Sequence, residues 1–164
     1  MIRTLTPDDL EVYKALWIQG LTSEPAAFLL TAEEALGALD SGLITKLASG
    51  AVIGAFEGAT LVGFVGMHQG GPQRLRHMAD VGPLYVQPSA RRRGLGQQLM
   101  QAAIDAARGK ALLQLELCVD ATNAGARALY AALGFEQIGL RPRSVIVNGV
   151  ARDDVLMLKR LDAA

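Results

Sequence analysis

Leu84-Tyr85-Val86-Gln87-Pro88-Ser89-Ala90-Arg91-Arg92-Arg93-Gly94-Leu95-Gly96 is the stretch on which the reading of this chain turns. It closes an apolar segment, Met78 to Val86, that reads as a strand. Gln87 to Ala90 is a turn. A helical pattern then runs from Leu95 to Arg108, with Leu95, Leu99, Ala102, Ala103 and Ala106 at helical spacing and Gly109 as its stop. A strand that feeds a glycine-bearing turn into a helix start is a receptor for phosphate. The first-turn N–H groups lack an intrahelical acceptor, and the helix dipole adds partial positive charge there. Gly94 and Gly96 have no Cβ, so a bulky anion can approach the backbone. Arg91, Arg92 and Arg93 add charge. The expected ligand carries a pyrophosphate.

Upstream of this stretch, Ile2 to Leu5 reads as a short strand, and Thr6-Pro7-Asp8-Asp9 starts a helix with Leu10, Tyr13, Leu16 and Trp17 on one face. Gly20 to Leu30 is irregular, and is either a surface connection or a wall of an acceptor site. Thr31-Ala32-Glu33-Glu34 carries a capping box for a second helix. Ala51 to Phe56 and Leu61 to Met67 flank Glu57-Gly58-Ala59-Thr60 as a hairpin. Pro83 cannot donate to a ladder, which predicts a bulge or local splaying at Gly82-Pro83.

Downstream, Leu112 to Val119 reads as a strand with Leu113, Leu115, Leu117 and Val119 on one face. Asp120 to Asn123 is a turn, and Gly125 to Leu133 is a short helix stopped by Gly134. Phe135 to Leu140, Ser144 to Val147 and Val155 to Leu158 read as three further strands, with Asn148-Gly149 as a hairpin turn. The order fits one α/β (α+β) domain over residues 1–164, a mixed sheet with helices on its faces.

Bulk properties narrow the function. The chain has 16 basic and 16 acidic residues, so overall charge gives no drive toward nucleic acid. Apolar residues make up 51% of it, enough for a full core. No apolar run reaches the length of a membrane span, and no signal-peptide pattern follows Met1. Cys118 is the single cysteine, which fits a reducing, cytoplasmic setting; it reads as a buried strand residue. Two histidines at no ligand spacing give no metal site. A Rossmann fingerprint needs a third glycine where Leu99 stands, and a Walker loop needs Gly-Lys-Ser/Thr, which is absent.

With these residues in view, the chain resembles the GNAT superfamily of N-acetyltransferases. That family's cofactor motif is a strand followed by Arg/Gln-x-x-Gly-x-Gly/Ala, filled here by Arg91, Arg92, Arg93, Gly94, Leu95 and Gly96. Its second signature is filled in register by Asn123, Ala126, Leu129, Tyr130, Leu133, Gly134 and Phe135. The resemblance implies a centrally splayed mixed sheet and acetyl-CoA as co-substrate. Backbone groups of Leu84, Tyr85 and Val86 would meet the pantetheine arm. The amides from Arg92 to Gln97 would meet the pyrophosphate, helped by the side chains of Arg91 and Arg92. Asn123 would orient the arm or cap its helix.

The resemblance also implies direct attack of a neutral amine on the thioester. Tyr130 matches the family's tyrosine, a proton donor to the departing sulfur. Asp80 stands eleven residues before Arg91, where some members carry a glutamate base; Glu116, His68 and His77 are rivals, and a water chain is the remaining route. The acceptor reads as a primary amine of a small molecule or amino acid. The alternatives are a protein N-terminus or lysine, or a non-catalytic acyl-CoA-binding module. Arg141 and Arg143 suit an acceptor carboxylate, whereas Asp153 and Asp154 suit a cationic acceptor. The terminal strand pair would form part of the acceptor pocket or a homodimer contact.

Overall fold

Side-chain alternation along residues 78–86 places Ala79, Val81 and Tyr85 inside, while Asp80 is exposed and Gly82, Leu84 and Val86 are half-buried. The computed structural model describes residues 1–162. Its elements are β1 (Ile2–Thr4), α1 (Leu10–Ser23), α2 (Ala32–Leu36), α3 (Asp40–Ala48), β2 (Val52–Glu57), β3 (Thr60–His68), β4 (Met78–Val86), α4 (Leu95–Gly109), β5 (Gln114–Asp120), α5 (Ala124–Ala132), β6 (Glu136–Val147) and β7 (Val150–Arg160). The strands form a seven-stranded mixed sheet in the order β1-β2-β3-β4-β5-β7-β6. β4 and β5 run parallel, and the other registered pairs run antiparallel.

Internal contacts divide the chain into two units. The first contains residues 1–67 and 83–103; the second contains residues 68–82 and those from Ile104 onward. β4 and α4 each contribute to both.

The first unit is built on aromatic packing. Tyr13, Leu16 and Trp17 of α1 face inward with Phe64 and Tyr85, and Tyr13 meets Phe64 edge-on at 5.2 Å. At its edge, Arg3 grips both oxygens of Asp9, at 2.7 and 2.8 Å, and stacks 4.3 Å over Phe56. The Thr6 N–H also donates to Asp9, at 2.8 Å. Gly63 has no room for a side chain, since a Cβ would lie 3.0 Å from the Tyr85 carbonyl oxygen. The sequence reading of a helix opened by Thr6-Pro7 is met by a 3-10 turn, Pro7–Asp9, that leads into α1.

In the second unit, Leu115, Leu117 and Val119 of β5 are buried, and Val155 and Met157 of β7 join them. Leu113 does not belong to that face. It precedes the strand and is exposed, and its N–H donates to the His77 carbonyl at 2.7 Å.

The C-terminal region differs from the sequence reading. Two long strands replace the three expected, and β6 runs through Pro142 without a break. A bulge accommodates the proline: the register shifts between Arg141 and Val145, and Arg143 takes a left-handed φ of 47°. Asp153 accepts from the Arg143 N–H at 2.8 Å, and Asp154 accepts from the Ser144 hydroxyl at 2.6 Å, so two carboxylates of β7 hold the bulge. Asn148 and Gly149 both have positive φ, 50° and 78°, as a tight hairpin turn requires.

β4 runs on through Gly82-Pro83, but its registered pairing with β5 ends at Asp80 and Glu116, so the strands splay where the proline predicts. Gly82 absorbs the distortion with a φ of 133°, a conformation that side chains rarely adopt. α4 starts where expected, but its buried face is Leu99, Met100, Ala103, Ile104 and Ala107.

Asp9 and Asp120 each link stability to acid pH. Arg3 and Thr6 hold Asp9 at a pKa of about 2, and Arg152 and Thr122 hold Asp120 at about 2. A lowered folded-state pKa stabilises the fold above the carboxylate's ordinary value near 3.8, and that contribution disappears as pH falls toward about 2. Asp120→Asn is expected to cost about 1–2 kcal/mol at pH 7 and to flatten the decline in stability below about pH 4. Urea unfolding at pH 7 and pH 3 measures both; an unchanged pH slope would remove Asp120 from this role.

Candidate functional site

In the first unit, the turn between β4 and α4 has the backbone of an anion cradle. Arg92 and Gly94 both have positive φ, 59° and 76°, with Arg93 between them on the negative side. Alternation of this kind turns successive N–H groups toward one point. A non-glycine residue in the left-handed region is strained, and such strain gathers at functional sites. The Gln98 N–H donates to the Gly94 carbonyl at 3.0 Å as the helix opens. Leu95, Gly96 and Gln97 therefore have no intrahelical acceptor for their N–H groups. A Cβ on Gly94 would meet only the Gln98 amide nitrogen, at 3.8 Å, so the turn stands open on that side.

The three arginines differ in what they touch. Arg91 pairs with Glu24 and donates through Nε to the Val86 carbonyl at 2.7 Å. Arg93 pairs with Glu57 at 2.7 Å and donates to the Ser89 carbonyl at 3.1 Å. Among the described residues, the Arg92 side chain has no partner, and it is exposed. The charge at this turn that no carboxylate among the described residues offsets is that of Arg92.

The second unit holds Asp80, Asn123 and Tyr130. Asn123 caps α5, its side-chain oxygen accepting from the Ala126 N–H at 3.1 Å. Tyr130 is 9% exposed and stands edge-on to Phe135 at 6.0 Å. Burial pushes its phenol up to about 12. Its hydroxyl has no protein partner among the described residues, yet no buried polar side-chain atom is left unsatisfied, so the oxygen reaches solvent. The ring is packed while its proton remains on offer.

Asp80 is exposed beside a cavity of about 210 Å³ lined by His68, Gly70, Leu75 and Met78 among others. Its register partner across the parallel ladder is Glu116, so two of the residues considered as base are neighbours on adjacent strands. Glu116 accepts from the Gln114 side chain at 3.0 Å. His77 is exposed, with Nδ1 3.1 Å from the Arg74 carbonyl.

Cys118 corrects the sequence reading. It is exposed, because it shares the outward side of β5 with Glu116, alternate to the buried Leu115, Leu117 and Val119. Partial burial raises the thiol pKa, Arg141 opposes that, and the negative charges of Asp154, Asp80 and Glu116 add to the rise. A thiol held protonated is a poor nucleophile. Sequence reasoning also missed the Arg152–Asp120–Thr122 network, in which Arg152 donates to the Thr122 hydroxyl at 2.9 Å. No local spacing signals it, since Asp120 and Arg152 lie 32 residues apart. Among the described residues, no group of three or more His, Cys, Asp or Glu side chains gathers as a metal site, and no helix is long and apolar enough to cross a membrane.

The comparisons with known proteins bear on this geometry. Residues 11–135 match the acetyltransferase (GNAT) family. The chain belongs to that family. N-alpha-acetyltransferase RimI of Mycobacterium tuberculosis is 37% identical over 97 residues, 59% of this chain and 59% of that protein. The chain thus aligns with less than two thirds of the length of that relative. Among solved structures, ribosomal-protein-alanine N-acetyltransferase from Brucella melitensis has a TM-score of 0.82 at 26% identity, covering 98% of this chain and 99% of that one. The phosphinothricin acetyltransferase of Sinorhizobium meliloti, solved with acetyl-CoA, has a TM-score of 0.84 at 19% identity, covering 98% and 88%; it shares the fold. The GNAT match extends through the 92–97 turn, Asn123 and Tyr130.

Proposed function

We propose that this GNAT protein transfers an acetyl group from acetyl-CoA to the primary amine of a small molecule or amino acid by direct attack on the thioester. The observation that carries the reading is the turn at residues 92–97. Its φ signs alternate, its first-turn N–H groups are free of intrahelical acceptors, and Arg92 is unpaired. These features fit a diphosphate, and the solved relative holding acetyl-CoA supports that choice. Leu84, Tyr85 and Val86 offer strand backbone to the pantetheine amides, although the Val86 carbonyl already accepts from Arg91. Asn123 serves the arm through the amide nitrogen that its cap leaves free.

Asp80, directly or through water, takes the proton of the ammonium form and leaves a neutral amine. The nitrogen lone pair forms the C–N bond, and the carbonyl becomes an oxyanion held by a strand N–H near Val86. Collapse breaks the C–S bond, and the thiolate takes the phenolic proton of Tyr130. Water restores that proton, and Asp80 and the new amide nitrogen each release theirs to solvent. The products are an N-acetyl amide and free CoA. The protonated thiol of Cys118 argues against an acyl-enzyme route.

A second reading takes the α-amine of a polypeptide as acceptor, favoured by the 37% identity with RimI over 97 residues. Free-thiol release from acetyl-CoA across a panel of amino acids, drug-like amines and short peptides tests both. Turnover with amino acids or small amines is the expected result. Turnover confined to peptides would establish the second reading, and acetyl-CoA binding without turnover on any amine would leave a binding module.

A further inference from the structure

The end of α1 and the segment after it are fastened to the phosphate turn through one arginine. Arg91 pairs with Glu24 through Nη2 and, through Nε, donates to the Val86 carbonyl at 2.7 Å. Its guanidinium carbon lies 5.7 Å from the centre of the Tyr85 ring. The Tyr85 hydroxyl lies 3.3 Å from the Ser23 hydroxyl, and Phe28 packs its ring against Tyr85 at 6.1 Å. Gly20 makes room for this cluster, since a Cβ there would fall 2.8 Å from Phe28 and 3.2 Å from Tyr85. Ser23, Glu24 and Phe28 are thus each tied to Tyr85 or to Arg91. Arg92, one residue on, is bound to nothing among the described residues.

We infer that the Arg91 side chain is a positioning residue: it straps the 23–28 segment to the end of β4, and the diphosphate is left to Arg92 and the main chain. This rests on the acetyl-CoA reading above for the role of Arg92, but not for the strap. Two of the five guanidinium N–H groups are committed to the Val86 carbonyl and the Glu24 carboxylate, and Glu24 offsets the charge, which weakens the pull of Arg91 on a phosphate. The two-armed grip also requires arginine, because an ammonium has no fixed fork. The sequence reading of Gly20 to Leu30 as irregular gives way to the end of α1 at Ser23 and a 3-10 turn at Pro25–Ala27, and this held segment would form a wall of the acceptor site. The strap therefore ties acceptor affinity to the phosphate turn.

The test uses Glu24→Gln, Arg91→Lys, Arg91→Gln, their double variant Glu24→Gln/Arg91→Gln, and Arg92→Gln in the full chain. Amide exchange across residues 23–30 and acetyl-CoA affinity by calorimetry are the readouts. Glu24→Gln, Arg91→Lys and Arg91→Gln are each expected to speed exchange in that segment by about tenfold or more, with the double variant no faster than Arg91→Gln. Acetyl-CoA affinity in these variants stays within about threefold, whereas Arg92→Gln weakens it about tenfold and leaves exchange unchanged. With an amine from the panel, Arg91→Lys raises the amine KM and changes kcat little. The proposal is overturned if Arg91→Gln weakens acetyl-CoA while Glu24→Gln tightens it, the pattern of a phosphate ligand held back by a competitor. Unchanged exchange in all the Arg91 and Glu24 variants overturns it as well. Wild-type protein that binds no acetyl-CoA would refute the acetyl-CoA reading, while the exchange measurements would still decide the strap.

Discussion

Gly94→Glu is expected to weaken acetyl-CoA binding more than about 100-fold while leaving the fold standing, a loss of roughly 2.7 kcal/mol or more. A Cβ at this position meets nothing closer than the Gln98 side-chain nitrogen at 3.8 Å. Its left-handed φ of 76° costs about 1–2 kcal/mol in a non-glycine residue, which a folded domain can absorb. What the variant cannot keep is the cradle. A carboxylate would occupy the space beside the free N–H groups and repel the diphosphate at close range. Calorimetry with acetyl-CoA measures the loss, and a thermal melt checks the fold. Gly94→Asn separates backbone from charge, since asparagine tolerates left-handed φ and carries none; a milder loss is expected. Affinity unchanged in Gly94→Glu would remove the pyrophosphate from residues 92–97.

Tyr130→Phe is expected to lower kcat by about 100-fold with acetyl-CoA affinity within about threefold of wild type. The ring is buried against Phe135, so phenylalanine preserves the packing. The hydroxyl has no protein partner among the described residues, so its removal orphans no buried group, and stability shifts by less than about 0.5 kcal/mol. Burial raises the phenol to about 12, which keeps it a donor through neutral and mildly alkaline pH. The stability linked to keeping it neutral is present below its ordinary value near 10 and is lost as pH rises through about 12. Tyr130 therefore adds no alkaline limb to kcat below about pH 11. Equal losses in kcat and affinity would assign the residue to packing alone.

Features governed by neighbouring residues were legible from the sequence. The β4 alternation, the start of α4 at Leu95, the Thr31 capping box and the Asn148-Gly149 turn each follow from backbone preferences acting over a few positions. The strands expected at Phe135–Leu140 and Ser144–Val147 are one, because Asp153 and Asp154 of the neighbouring strand supply the bonds that hold a bulge between them. Cys118, read as a buried strand residue, lies on the outward side of its strand. α3 escaped notice, since no side-chain cap marks the start of Asp40–Ala48.

The sequence by itself determined that a glycine-bearing turn links a strand to a helix start, and that Asn123 and Tyr130 follow in the register of the GNAT family. Spacing along the chain is enough for that, because caps, turns and helix periods are local. Only the tertiary structure decided which arginine is free. Arg91, Arg92 and Arg93 are equivalent as letters, but Glu24 and Glu57, 67 and 36 residues away, take the first and the third. Ion pairs form wherever folding brings charges together, and no local pattern records that.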